Sequence, residues 1–205
     1  SFSYEGGADV FVSNQLKISA TYFQRYHKNL IDYVPTPYAE IPRKVNLLSN
    51  GTYALAKNIA EVTTSGFETD FQYTKQLQKN GTIWATIGLI WLDSKSTDTV
   101  PSFYISSHAK FQANFNVQYT QKRFAISVNG LYKSRQSQKL ASPAIAKVSA
   151  DYIVLNAKAE AFVWQNKASV FVEVDNFLDR NYTDLLGSQM PGRWLMGGIK
   201  ISLTK

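Results

Sequence analysis

The feature that narrows this chain most is a period-two alternation of apolar and polar side chains, held over runs of about ten residues. It is plainest near the C-terminal end. Between Trp194 and Thr204, the residues Leu195, Gly197, Ile199, Ile201 and Leu203 fall on one side of an extended backbone, with Trp194, Met196, Gly198, Lys200, Ser202 and Thr204 on the other. Successive side chains of a strand point to opposite faces, so one face suits hydrocarbon and the other water. The run before it repeats the arrangement: Ala168, Val170, Val172 and Val174 oppose Ser169, Glu173 and Asp175. Acids on one face and valines on the other describe an inverted protein, wet inside and oily outside.

The same period recurs upstream. It predicts strands over Ser3–Val12, from Leu16 loosely to about Val34, and over Thr63–Tyr73, Thr82–Asp93 and His108–Tyr119, followed by Arg123–Lys133 and Ile153–Val163. With the closing pair this makes about nine strands, several longer than the five or six residues of an ordinary globular sheet. The stretch from Pro35 to about Asn58 carries three prolines and the turn signal Asn50-Gly51, and reads as a loop with a small hairpin. Connections alternate in length. Those after the first, third, fifth and seventh strands are short, and those after the second, fourth, sixth and eighth are long and polar. Short turns at one end and long loops at the other characterise antiparallel transmembrane barrels, whose closed ladders satisfy every backbone group in lipid.

Composition sharpens this. Hydrophobic residues make up 44%, the mean hydropathy is −0.22, and no apolar run reaches the roughly 18 residues that a membrane-crossing helix needs. Twelve Tyr and twelve Phe favour strands; Trp91, Tyr119, Tyr132 and Trp164, near strand ends, are placed for interfacial girdles. The absence of Cys excludes disulfides, thiol catalysis and the common zinc motifs. The net charge of +7 comes from scattered basic residues, not a stripe beside an RNA-binding signature, so a nucleic-acid partner is not expected.

Several residues invite chemical readings. Glu5, Asp9, Glu68, Asp70, Glu160, Glu173 and Asp175 lie on the polar faces and read as solvated or ion-paired lumen groups alongside Lys110, Lys158 and Lys200, not as an acid/base set. His27 and His108 lack ligand spacing, Asp93 and Asp98 read as a solvated loop, and the Ser residues sit in no nucleophile motif. No enzyme, metal or cofactor is expected.

The run Val174-Asp175-Asn176-Phe177-Leu178-Asp179-Arg180-Asn181-Tyr182, then Pro191-Gly192-Arg193 and an alternating final strand, resembles the end of TonB-dependent outer-membrane receptors. Lys28-Asn29-Leu30-Ile31-Asp32 and Gly66-Phe67-Glu68 are similar to two further elements of that family. The resemblance implies a 22-stranded barrel filled by a plug and energised through TonB. Nine strands would then be the C-terminal part of one transmembrane barrel domain spanning residues 1–205, without the plug. It implies the bacterial outer membrane, with long loops extracellular and the C-terminus periplasmic. Implied partners are outer-membrane lipid, TonB through an N-terminal part outside these residues, a surface lipoprotein and an imported ligand. Lys205 departs from the terminal Phe common in such barrels. The segment Leu186 to Arg193 looks most like cobalamin receptors of Bacteroidetes type, with ferric-siderophore or haem receptors as the alternative. A passive porin and a soluble β-sandwich binding module are the rivals of other classes.

Ligand contacts are expected from the loop residues Tyr38, Tyr53, Tyr104, Arg135 and Gln189, since a ligand site pairs aromatic surface with a few polar groups. Leu195, Ile199, Ile201 and Leu203 are expected to face lipid. Arg193 is expected to serve structure, pairing with an inward acid such as Glu173.

Overall fold

A computed structural model describes residues 1–59, 61–97, 108–135, 148–164, 167–185 and 188–202. The strands are β1 (Phe2–Phe11), β2 (Leu16–His27), β3 (Leu30–Pro37), β4 (Thr52–Ile59), β5 (Val62–Leu77), β6 (Gly81–Ser96), β7 (Ala109–Gln121), β8 (Phe124–Arg135), β9 (Asp151–Trp164), β10 (Ala168–Asp175), β11 (Thr183–Leu185), β12 (Ser188–Gln189) and β13 (Trp194–Ile201). Nine of them form one antiparallel sheet in the order β1-β2-β5-β6-β7-β8-β9-β10-β13. Every strand pairs with its neighbour in the chain once the two small hairpins β3–β4 and β11–β12 are set aside. The sheet is all-β and does not close on itself within this chain. Leu203 lies outside the described residues.

The strands run longer than alternation alone predicts. β5 and β6 pair without a slip from Val62↔Ser96 to Leu77↔Gly81, so polar Lys75 and Gln76 belong to the ladder and the turn shrinks to Gln78–Asn80. Conversely, the second strand does not continue to Val34. It stops at His27, and Asn29 takes a left-handed φ of 57°. Beyond the break, Leu30↔Ile59 through Pro37↔Thr52 carry on the register of Leu16↔Tyr73 through His27↔Val62. The ribbon therefore bends without losing its pairing. Among the described residues the five non-glycine positions with positive φ are Asn or Asp, the types whose short polar side chains tolerate that region.

The two faces of the sheet differ sharply. On one, Tyr22, Phe67, Trp91 and Phe111 lie side by side across β2, β5, β6 and β7. The row is packed, with ring centroids 6.1 Å apart for Phe67–Trp91, 5.1 Å for Trp91–Phe111 and 6.0 Å for Phe111–Tyr132; Phe2, Tyr4 and Tyr26 extend it onto β1. Tyr119 and Phe124, 5.7 Å apart, mark the turn end of the same face. From Phe111 to Tyr119 is roughly 26 Å along the strand. At a tilt of about 40° that spans roughly 20 Å of bilayer, close to the apolar band of an outer-membrane barrel. Between the rows stand exposed apolar side chains such as Ile87 (44%), Val117 (44%), Val172 (54%) and Ile199 (72%). On the described strands of the sheet this face's charged residues stand at or beyond the aromatic rows: Asp93 and Lys95 follow Trp91, Asp151 is level with Phe111, and Lys75 is level with Tyr119. Nothing in the described chain covers this surface, and an exposed apolar expanse of that size marks contact with something apolar. No described helix is long and apolar enough to cross a membrane, which says nothing of strands.

Small residues shape both faces. A Cβ on Gly66 would lie 2.3 Å from Cζ of Phe23 on the polar face, and one on Gly130 would lie 2.5 Å from Phe115 on the apolar face. Each glycine is the floor on which a neighbouring ring lies.

Two outcomes test this division. Ile87→Lys places a charge midway on the apolar face and should cost about 2–4 kcal/mol, whereas Gln72→Glu, exposed on the polar face, should change stability by less than about 1 kcal/mol; denaturant unfolding of the protein in lipid reads both. Gly66→Ala should displace Phe23 and cost about 1–3 kcal/mol by overpacking, seen as a lowered midpoint in the same assay.

Candidate functional site

The polar face carries hydrogen-bonding groups in register. Thr86, Asn116, Asn129 and Asn156 stand opposite one another across β6, β7, β8 and β9. Asn156 Nδ2 donates to Asn129 Oδ1 at 2.9 Å. These side chains, with Asn114 and Tyr182, line a concavity of about 460 Å³. Ion pairs stud the flanks: Lys17 with Asp9 at 2.8 Å, and Lys158 with Glu173 at 3.0 Å. Glu173 is therefore paired with Lys158, not with Arg193. The Arg193 backbone N–H instead donates to Asp179 Oδ1 at 2.9 Å.

That last bond belongs to a knot at the base of the loop between β10 and β13. Asn176 is 4% exposed and has φ 47°. Its N–H donates to Asn156 Oδ1 at 2.8 Å, its Oδ1 accepts the Arg180 N–H at 2.8 Å, and its Nδ2 donates to the carbonyls of Arg180 and Pro191 at 2.9 and 3.1 Å. Asn176 and Asp179 thus tie the start of the loop to its end and to the wall. The Asn-Phe-Leu-Asp run has a mechanical reason: both polar residues are knots.

From this base the loop folds inward as a strap over the polar face. Its residue Asp184 accepts hydrogen bonds at Oδ1 from Lys133 Nζ at 2.9 Å and Tyr152 Oη at 2.7 Å, and also from Arg135 Nη2. Arg135 Nη1 donates to the Ser149 carbonyl at 2.7 Å, and its guanidinium carbon lies 5.6 Å from the centre of the Tyr152 ring. Tyr182 packs on Tyr152 with centroids 4.5 Å apart. Two further bonds add to this, the Ser149 N–H to the Thr183 carbonyl and the Thr183 N–H to the Ser149 hydroxyl Oγ, each 3.0 Å. Burial pushes the Asp184 carboxyl up. The hydrogen bonds from Lys133, Tyr152 and Arg135 and the charge of Lys133 outweigh it and hold the group at about 2, below its ordinary 3.8.

The loop residues named from sequence fall in different places. Tyr38 and Tyr53 both stand near the tip of the β3–β4 ribbon, half-buried; Lys44 Nζ lies 4.9 Å from the Tyr38 ring centre, and the Tyr53 hydroxyl accepts the Leu48 N–H and donates to the Leu48 carbonyl. The ribbon bends toward the polar face, where Val34 packs with Val62. Gln189 is exposed on the strap and donates to Asn181 Oδ1. Arg135 is not at a loop surface: its side chain is 1% exposed and holds Asp184. Tyr104 lies outside the described residues. Sequence reasoning missed Lys133, Tyr152 and Asp184. Its one available signal was that Lys133 and Arg135 share a face, two cations side by side that call for an acid.

Other candidates resolve quietly. His108 Nδ1 is 3.1 Å from Ser94 Oγ, which is 2.9 Å from Thr64 Oγ1. Asp93 pairs with Lys95 at 2.9 Å, and Asp98 lies outside the described residues. Among the described residues no group of three or more His, Cys, Asp or Glu is placed to hold a metal.

A family model described as "TonB dependent receptor-like, beta-barrel" matches residues 1–177. No curated protein matches the chain. Solved structures do. The copper transporter OprC superimposes with a TM-score of 0.67 at 14% identity, over 97% of this chain and 30% of that one. The outer membrane transporter YddB from Escherichia coli gives 0.62 at 12%, over 97% and 32%. The ferripyoverdine receptor of the outer membrane of Pseudomonas aeruginosa, bound to ferripyoverdine, gives 0.61 at 15%, over 96% and 26%. The chain thus spans about a third or less of each; at these identities the likeness is one of fold.

The Asp184 contacts carry a pH dependence. A carboxyl whose folded value lies below its unfolded one stabilises above the unfolded value, and that stabilisation is lost as pH falls through the folded value. Strap stability should be complete above pH about 4 and lost from about 4 down to about 2, a change on the order of 2 kcal/mol. Hydrogen exchange of the amides of residues 182–185 in the detergent-solubilised protein should show it, and Asp184→Asn should remove that step.

Proposed function

The chain belongs to the TonB-dependent receptor β-barrel family, and on that premise we propose that it forms part of the wall of an outer-membrane active transporter that imports a scarce ligand. One observation carries the reading: a sheet with an uncovered apolar face banded by aromatic rows, backed by a polar face whose loops fold over a hydrogen-bonding concavity. In this reading residues 1–205 belong to a single transmembrane barrel domain. The apolar face, with Leu195, Ile199, Ile201 and Leu203, meets lipid. The long loops are extracellular, and the turns and the end of β13 are periplasmic. TonB supplies the energy, and a surface lipoprotein assists capture. The protein transports and does not catalyse.

The proposed cargo is cobalamin or another corrinoid, supported by the resemblance of the segment up to Arg193 to such receptors. Tyr38, Tyr53, Tyr104 and Gln189 offer aromatic and amide contacts from the loops, and Arg135 acts by holding the strap that forms one wall of the site. A ferric siderophore or haem is the second reading. It is favoured by the rim cations and tyrosines, Lys44 over Tyr38 among them, which suit an anionic iron chelate.

Titrating the full-length receptor with cobalamin and with ferric siderophores separates the two. Corrinoid binding at micromolar concentration or tighter is expected. Its absence, with a ferric chelate bound instead, selects the second reading. Uptake that persists without TonB would replace both with a passive pore.

A further inference from the structure

Two cations on neighbouring inward positions of β8, Lys133 and Arg135, converge on one oxygen of Asp184. The acid comes from the strap and the cations from the wall, so the contact joins two parts that can separate. The strap's base cannot move far, because Asn176 and Asp179 knot it to Pro191, Arg193 and the wall. What lies between the knots is held across the face by the Asp184 carboxylate, by Arg135 Nη2 on the Asp184 carbonyl at 3.4 Å, by the Tyr182 ring on Tyr152 and by the bonds between Thr183 and Ser149. The charged contact is the strongest of these, because charge-assisted hydrogen bonds to a carboxylate exceed neutral ones about twofold.

Arg135 is shut in beneath the strap, its side chain 1% exposed, while Lys133 is 17% exposed and Asp184 28%. Buried cations of this kind require an anion and do not specify which one. A carboxylate or phosphate oxygen on another molecule presents the same acceptor geometry as Asp184. Lifting the strap also removes Tyr182 from the rim of the 460 Å³ concavity, leaving the amide row Asn114, Asn116, Asn129 and Asn156 facing open space.

We propose that Lys133 and Arg135 form an oxyanion site whose resident occupant is Asp184, and that an anionic group on the imported ligand takes the site, releases the strap and uncovers the amide-lined concavity. The inference rests on the import reading for the identity of the incoming anion. The site itself rests on the geometry alone. Arg135 is then a ligand contact only after the strap opens, which reconciles its burial with a place among the loop residues. Tyr152 keeps its hydroxyl on whichever anion is present.

The test uses the full-length receptor in detergent micelles, with malonate as the probe anion and sodium chloride at matched ionic strength as the control. Hydrogen exchange of the amides of residues 182–185 is followed by mass spectrometry. Malonate over the millimolar range should raise exchange at least fivefold and saturably, while chloride leaves it unchanged. Asp184→Asn should exchange without malonate as fast as the wild type does at saturation. Lys133→Gln, which leaves Arg135 to keep the segment folded, should weaken the malonate response at least fivefold. Equal effects of malonate and chloride, or a strap as protected in Asp184→Asn as in wild type, would overturn the site. Energised uptake of the bound cargo reports on the other premise. Malonate-driven opening without uptake leaves the site standing and removes the import reading, whereas uptake with no malonate effect removes the site alone.

Discussion

The structure depends on one requirement: in hydrocarbon no water is available to a backbone N–H or C=O, so each must be paired within the protein. An antiparallel ladder does this along its whole length, which is why β5 and β6 run without a slip and take polar Lys75 and Gln76 with them. Pairing, not side-chain hydrophobicity, sets where a strand ends. The side chains then only have to choose a face. Tyr22, Phe67, Trp91 and Phe111 fill adjacent positions of one face because the register places them side by side.

Outside the paired sheet, the loops answer to a different rule. Water can satisfy their backbones, so they are free to take whatever course their side chains secure. Two use that freedom to turn over the polar face. The β3–β4 ribbon bends at Asn29 yet keeps its register, and Val34 reaches Val62. The strap is knotted by Asn176 and Asp179 and fastened by Asp184. Both bends rest on residues in the left-handed region, so the positions that aim the loops are Asn and Asp.

Much of the wall was legible in advance. Period-two alternation marked nine strands and their faces, and the alternation of short and long connections marked its two ends. Strand limits were less legible, because ladder bonds hold polar residues that a hydrophobic pattern excludes. At the candidate site the reading was partial. Tyr38 and Tyr53 were named as loop residues and stand near the tip of the β3–β4 ribbon, whereas Arg135, named as a loop contact, is buried against Asp184. Glu173 was matched to Arg193 although Lys158 stands directly across from it on β9.

The sequence by itself determined which side chains share a face, because alternation is a local property of extended backbone and needs no partner to be known. It also marked which strands are joined by short turns and so pair as hairpins, while the pairings across the long connections came from the structure. Only the tertiary structure decided that Asp184 meets Lys133, Arg135 and Tyr152. Those four residues come from three separate segments, and their meeting depends on the stagger of β8 against β9 and on a loop that doubles back. Hydrophobic period carries no trace of either, for it records whether a side chain faces oil or water and not which charge waits on the far side of a fold.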